Sequence, residues 1–274
     1  MDWLEVRRGT APLIVSFPHT GFDLPPELAN SFVSPWLATR DADWWIDQLY
    51  DFAHDLGATT VRTRLSRSVI DVNRDPSGAS LYPGQFTTGL CPTQTFDGDP
   101  LHPAGGEPDE AEVARRRETY FHPYHAALGE EIARLRGLHE RIVVYDAHSI
   151  RSAVPSLFEG ELPNLNIGTN GDTSCDPALT RVVEAACDAG PFSRITNGRF
   201  RGGWITRHYG QPENGVHAVQ MELACRGYMD DPAAPPAPRV WPSAYRPEQA
   251  APMRAVLAQV LNACLTFARA GSPT

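Results

Sequence analysis

What most constrains this chain is a set of apolar runs, too short and too continuous to be the buried stripes of helices: "PLIVSFP", "ATTVRTRL" running into "SVIDVN", "RIVVYDAHS", the weaker "PNLNIGT", and "VHAVQMELA". Each is bounded by turn residues and reads as a strand. Most lack the apolar/polar alternation of a half-exposed strand, so the sheet they build is covered on both faces. Helical patterns lie between them. "DADWWIDQLYDFAHDLG" places Trp44, Ile46, Leu49, Phe52, Ala53 and Leu56 near helical spacing and stops at Gly57. A second pattern runs from Glu107 to Gly137, with a kink expected at Pro123. A third follows Asp176-Pro177, a cap and a first helical position, and a fourth runs from Pro247. Strands alternating with helices predict an α/β fold, with ligands bound beyond the strand carboxyl ends.

The 274 residues, 42% hydrophobic and 21% charged, have ample core for one large domain. Two Pro/Gly-rich stretches interrupt the pattern, Asp75–Asp109 and Asp230–Pro247, and the first is long enough to be an ordered excursion or lid. A net charge of -9 and the absence of a basic block argue against a nucleic-acid partner. "MDWLEVRRGT" has no apolar core of signal-peptide length, and no run approaches the roughly 18 apolar residues of a membrane span, so a soluble, cytoplasmic protein is expected. Of the five cysteines, which form no C-x-x-C pair, most are expected to be buried thiols.

The chemistry collects where strands end. His19 follows "PLIVSF" on a turn made by Pro18 and Gly21, and "RIVVYDAHS" closes with Asp146 and His148. Two strand-end imidazoles at one rim are a metal-site pattern, with Asp146 suited to brace His148. A third, acidic ligand is then required. Asp43 is preferred, and Asp23, Asp41 and Asp47 compete with it. "SRSVIDVNRDP" carries Arg67, Asn73 and Arg74 on what reads as one strand. A guanidinium beside an amide can hold a carboxylate, and Arg67 could reach a developing oxyanion. In "VHAVQMELA", Gln220 and Glu222 share one face, and a buried Glu222 would have a raised pKa suited to a general base. "NGRFRGGWITRHYG" gathers Arg199, Arg201, Arg207 and His208 around two glycines and reads as an anion-binding loop. The chain lacks the G-x-S-x-G elbow, the P-loop and G-x-G-x-x-G, so nucleophilic-serine chemistry and nucleotide use are not expected.

The ordered set "SFPHTG", "DADWWIDQLYDFA", "SRSVIDVNRDP", "YPGQFTTGLCP", "DAHSIRS", "NGRFRGGWITRHYG" and "VHAVQMELA" closely resembles the N-formylglutamate amidohydrolases over roughly residues 10 to 265. That family is related to the zinc carboxypeptidases and aspartoacylases. The resemblance implies a single zinc-hydrolase domain over residues 1–274, zinc-exopeptidase-like, with a mixed, largely parallel central sheet flanked by helices and one Zn2+. It implies that His19, His148 and an acidic residue, here Asp43, hold the metal. Asn73 and Arg74, with Arg207, would bind the carboxylates of a small acidic amino-acid derivative. Arg67 would stabilise the oxyanion and Glu222 would activate water. The residue three after His19 is Phe22, where the carboxypeptidase relatives keep a glutamate ligand. The implied reaction is hydrolysis of N-formyl-L-glutamate to formate and L-glutamate in histidine degradation. Another zinc-dependent acyl-amino-acid deacylase, a carboxypeptidase and a non-catalytic binder of acidic amino acids are the competing functions.

Overall fold

The computed structural model describes residues 2–82, 84–232 and 235–270. Seven strands, β1 (Leu4–Arg7), β2 (Leu13–Phe17), β3 (Thr59–Thr63), β4 (Ile142–Ile150), β5 (Leu165–Gly168), β6 (Arg194–Thr196) and β7 (Val216–Ala224), form one sheet in the order β1-β3-β2-β4-β7-β5-β6. The pairs β3–β2, β2–β4, β4–β7 and β5–β6 are parallel; β1–β3 and β5–β7 are antiparallel. The fold is therefore the expected mixed, largely parallel α/β sheet. Among the described residues eight α-helices accompany it: α1 (Pro26–Ala29), α2 (Pro35–Thr39), α3 (Ile46–Leu49), α4 (Glu110–Arg116), α5 (His122–Arg136), α6 (Pro177–Asp188), α7 (Trp204–Tyr209) and α8 (Pro247–Arg269).

Side-chain alternation along the strands builds two cores. Odd-numbered residues such as Val15, Val143, Tyr145, Val219 and Met221 pack with α6 and α8 on one face, while Ile14, Val144 and Ala218 pack with Tyr124, Leu128 and Leu135 of α5 on the other. By length and composition α8 could cross a membrane, contrary to expectation, and its Leu257, Val260, Leu261 and Cys264 are buried in the first of these cores. All five cysteines are free and buried.

Four local readings need correction. The helix expected over 41–57 is only α3 and a following 3-10 turn, because Trp45 takes φ 65° and the residues before it are drawn toward the strand ends, Asp43 N–H donating to His19 O at 2.9 Å. The strand expected to continue through "SVIDVN" ends at Thr63, so Arg67, Asn73 and Arg74 are not on a strand. Past Thr63 only isolated bridges persist, Asp23 with Leu65 and Gly21 with Ser66, and the Ser66 carbonyl then accepts from Val69 N–H at 2.9 Å, turning the chain out of the sheet. The kink near Pro123 is a wider π-helical turn over Arg117–Phe121, just before the proline enters α5. The "GGWITRHYG" segment folds into α7, and Gly203 at its start approaches Asn73 rather than lying open: a Cβ there would fall 2.4 Å from Asn73 Nδ2. The excursion 75–109 contains no named strand and no helix among its described residues.

Candidate active site

The face of the sheet that packs on α5 changes character partway along its strands. On β4, Ile142 and Val144 are followed on the same face by Asp146 and His148; on β7, Val216 and Ala218 are followed by Gln220 and Glu222. Parallel pairing sets His148 opposite Glu222. His19, two residues beyond the end of β2, brings its ring within 4.8 Å of the His148 ring. All of these side chains are buried, so each needs a partner.

The partners form a closed set. Asp43 Oδ2 lies 2.9 Å from His148 Nδ1 and 3.7 Å from His19 Nδ1, and it accepts a 3.1 Å hydrogen bond from Ser149 N–H. His19, Asp43 and His148 each offer one ligand atom within 4.8 Å of the others. The competing aspartates point elsewhere: Asp23 pairs with Arg64, Asp47 with Arg62, and Asp41 accepts from Phe96 N–H. The remaining ring nitrogens are braced by carboxylates, His19 Nε2 by Asp71 Oδ1 at 2.7 Å and His148 Nε2 by Asp146 Oδ2 at 2.9 Å. His19 Nδ1 is buried without a hydrogen-bond partner. Two imidazoles, one carboxylate and outer carboxylate braces suit a divalent metal with room left for substrate.

Electrostatics sharpen these roles. Burial, and then Arg67, hold the His19 imidazole below its ordinary pKa, which keeps it neutral and able to ligate. For His148 burial acts in the same direction, but Asp146 and Asp43 outweigh it and raise the pKa well above the ordinary value. Burial would raise the Asp71 carboxyl, yet Arg74, His19 and Arg67 together hold it well below the usual range. Glu222 is pushed up to about 8, chiefly by burial, and its Oε2 accepts a 3.0 Å hydrogen bond from Gln220. A carboxyl near neutrality is suited to proton transfer.

Above this floor opens a cleft lined by His19, His148 and Glu222, by Arg67, Arg74 and Arg199, and by aromatic rings including Phe86, Phe96 and Phe200. Arg67 donates to Asp71 Oδ2 at 2.6 Å, and its other terminal nitrogen lies 3.8 Å from Asp43. Asn73 lines the cleft, but its amide is engaged within the protein. Nδ2 lies 2.9 Å from both Asp146 and His148, and Oδ1 accepts from Ile205 N–H at 2.8 Å. Arg207 is not brought into this cleft. It lines an adjoining recess with Arg201, its Nε donating to Gly202 O at 2.9 Å and its guanidinium lying over Tyr82. Arg199, from the same basic stretch, lines both spaces. Asp71 was not anticipated as part of the site; its only sequence signal was its place beside Asn73 and Arg74.

Fold and site together define an α/β protein with a histidine–carboxylate centre at its strand ends, set in an arginine-lined cleft. Residues 11–229 match the family model described as N-formylglutamate amidohydrolase, and the chain belongs to that family. It is 46% identical over 267 residues to the N-formylglutamate deformylase of Pseudomonas aeruginosa, covering 97% of each chain. To the N-formylglutamate deformylase of Pseudomonas putida it is 43% identical over 265 residues, covering 96% of each. Among solved structures, an N-formylglutamate amidohydrolase from Ralstonia eutropha superimposes with a TM-score of 0.78 at 20% identity, covering 99% of this chain and all of the other. A gene product of Agrobacterium tumefaciens gives 0.73 at 19% identity, covering 97% of this chain and 95% of that one. These two structures share the fold.

Proposed function

We propose that this chain is a zinc-dependent N-formyl-L-glutamate deformylase that adds water across the formyl amide to give formate and L-glutamate. The observation that carries this is the buried His19–Asp43–His148 set beside Glu222, in a chain nearly half identical to proteins named for that reaction. His19, Asp43 and His148 would hold the metal, which supplies Lewis acidity toward the formyl oxygen and water. Glu222 takes the proton from the attacking water and delivers it to the departing amine nitrogen. Arg67, kept cationic and oriented by Asp71, faces the oxygen on which negative charge develops. The substrate's two carboxylates are met by Arg74 and Arg199, the cleft arginine that takes the role first given to Arg207. Asn73 acts as a positioning residue, holding Asp146 and His148.

The same proposal makes residues 1–274 one zinc-hydrolase domain acting in a cytoplasmic histidine-degradation route. Its partner is a small acidic amino-acid derivative, with no nucleic acid or membrane involved. The test is metal analysis of purified protein coupled to formate detection. About one zinc per chain, formate release from N-formyl-L-glutamate, loss of release on chelation and recovery with zinc are expected. Protein with a full complement of zinc that releases no formate would disprove the proposal.

A further inference from the structure

The turn around Phe96 leaves the long excursion and is fastened at the cleft residue by residue. The Asp97 carboxylate lies 3.0 Å from Arg40 and accepts a 2.6 Å hydrogen bond from Arg151; Thr95 Oγ1 also accepts from Arg40, and Asp99 accepts from it at 2.7 Å. Between these anchors, Phe96 has both of its backbone polar groups held by other segments. Its N–H donates to Asp41 Oδ2 at 2.7 Å, and its carbonyl accepts from Ser156 Oγ. Arg40 and Asp41 shortly precede Asp43, and Arg151 shortly follows His148. The segments that carry two of the candidate metal ligands therefore also clamp this turn.

The result is one apolar ring fixed in place. Phe96 is 7% exposed and clusters with Ile150, two residues beyond His148. Its ring centre lies 4.9 Å from the Arg67 guanidinium carbon, in the lining of the cleft that holds Glu222. Burying charges such as those of Arg40 and Arg151 is costly and adds little net stability, so the clamp is better explained by what it positions than by what it stabilises. A rigid ring discriminates by size, because an extra methyl can enter only by displacing it, whereas a mobile ring would yield.

We infer that Phe96 sets the size of the acyl group, closing the space beside the carbonyl carbon so that a formyl hydrogen fits and an acetyl methyl does not. This rests on the deformylase proposal above. One methylene in an apolar pocket is worth roughly 10–200-fold in selectivity, which is the scale to look for.

The test compares wild type, Phe96→Ala and Phe96→Leu as metal-loaded enzymes. It measures kcat/KM for N-formyl- and N-acetyl-L-glutamate, and the inhibition constant of N-acetyl-L-glutamate against formyl hydrolysis. The acetyl-to-formyl ratio is expected to rise at least tenfold in Phe96→Ala and by less in Phe96→Leu, with N-acetyl-L-glutamate becoming a tighter competitor. A ratio and an inhibition constant within twofold of wild type in both variants would overturn the inference, since a merely structural role lowers both activities together. If Phe96→Ala does not fold, Phe96→Leu, closer in volume, carries the comparison. Wild type that releases no formate refutes the deformylase proposal instead.

Discussion

At the scale of single residues, the centre is governed by the two carboxylates behind it. Asp71 on His19 Nε2 and Asp146 on His148 Nε2 fix both ring planes and leave the Nδ1 atoms facing Asp43. Loss of such a brace typically costs about 10–100-fold in metal affinity. Asp71→Asn is accordingly expected to weaken zinc binding by that factor, read by competition with a chromogenic chelator; unchanged affinity would remove Asp71 from this role. Glu222→Gln should keep its zinc while formate release falls by about 10²–10⁴, the usual contribution of a positioned proton-transfer group. His19, His148, Asp146 and Glu222 were legible because strand ends and same-face spacing are properties of the local sequence. Asp71 was not, because the ring it braces, His19, lies on a distant segment and nothing in "VIDVNRD" distinguishes a brace from an ordinary ion pair. That Arg199 lines the cleft while Arg207 lines the adjoining recess was hidden for a related reason: Tyr82, from a distant segment, lies under both guanidiniums.

At the scale of elements, β4 and β7 carry core and chemistry on one face in succession, so the apolar half of each strand sets the register of its polar half. α7 then closes the site through Gly203, whose N–H donates to Gln220 Oε1 at 2.7 Å while its α-carbon packs on Asn73. Gly203→Ala puts a methyl into the Asn73 amide and should cost about 1–3 kcal/mol of stability, together with activity, by forcing that side chain away from Asp146 and His148. Thermal unfolding and formate assays of the variant check this; wild-type values in both would mean that the contact relaxes at no cost. The central strands and the long helices α5, α6 and α8 were readable from periodicity. β1 and β6, with 4 and 3 residues, were too short to show any period, and α7 was hidden by its shortness and the glycines at both of its ends. The premature end of β3 comes where the chain keeps only isolated bridges and then turns at Ser66–Val69, which composition does not reveal.

At the scale of the whole molecule, stability responds to pH through a buried, uncharged histidine outside the cleft, His217. His217 accepts a 3.1 Å hydrogen bond from Asp176 N–H at its Nδ1, and burial lowers its pKa from 6.5 to about 4. Between those values the unfolded chain binds a proton that the folded chain does not, so this contribution is full above pH 6.5 and is lost as pH falls toward 4. It amounts to roughly 2 kcal/mol between pH 7 and pH 5. Urea unfolding of metal-free protein at both pH values should show that loss, and His217→Gln should reduce it; an equal loss in the variant would assign the effect to other groups. The tryptophans belong to the same scale. Trp44 flanks Asp43 directly, Trp44 and Trp241 both donate to the Arg40 carbonyl, at 3.3 and 2.8 Å, and Trp36 donates to Trp241 O at 3.2 Å. With Trp45, which donates to Ser243 O, four of the chain's six indoles surround the segment that presents Asp43. Any tightening of that segment by a bound cation changes the surroundings of most of the protein's fluorophores at once. If the proposed zinc binds there, these indoles report its loading: emission should shift on chelation and recover, in proportion to bound zinc, on titration.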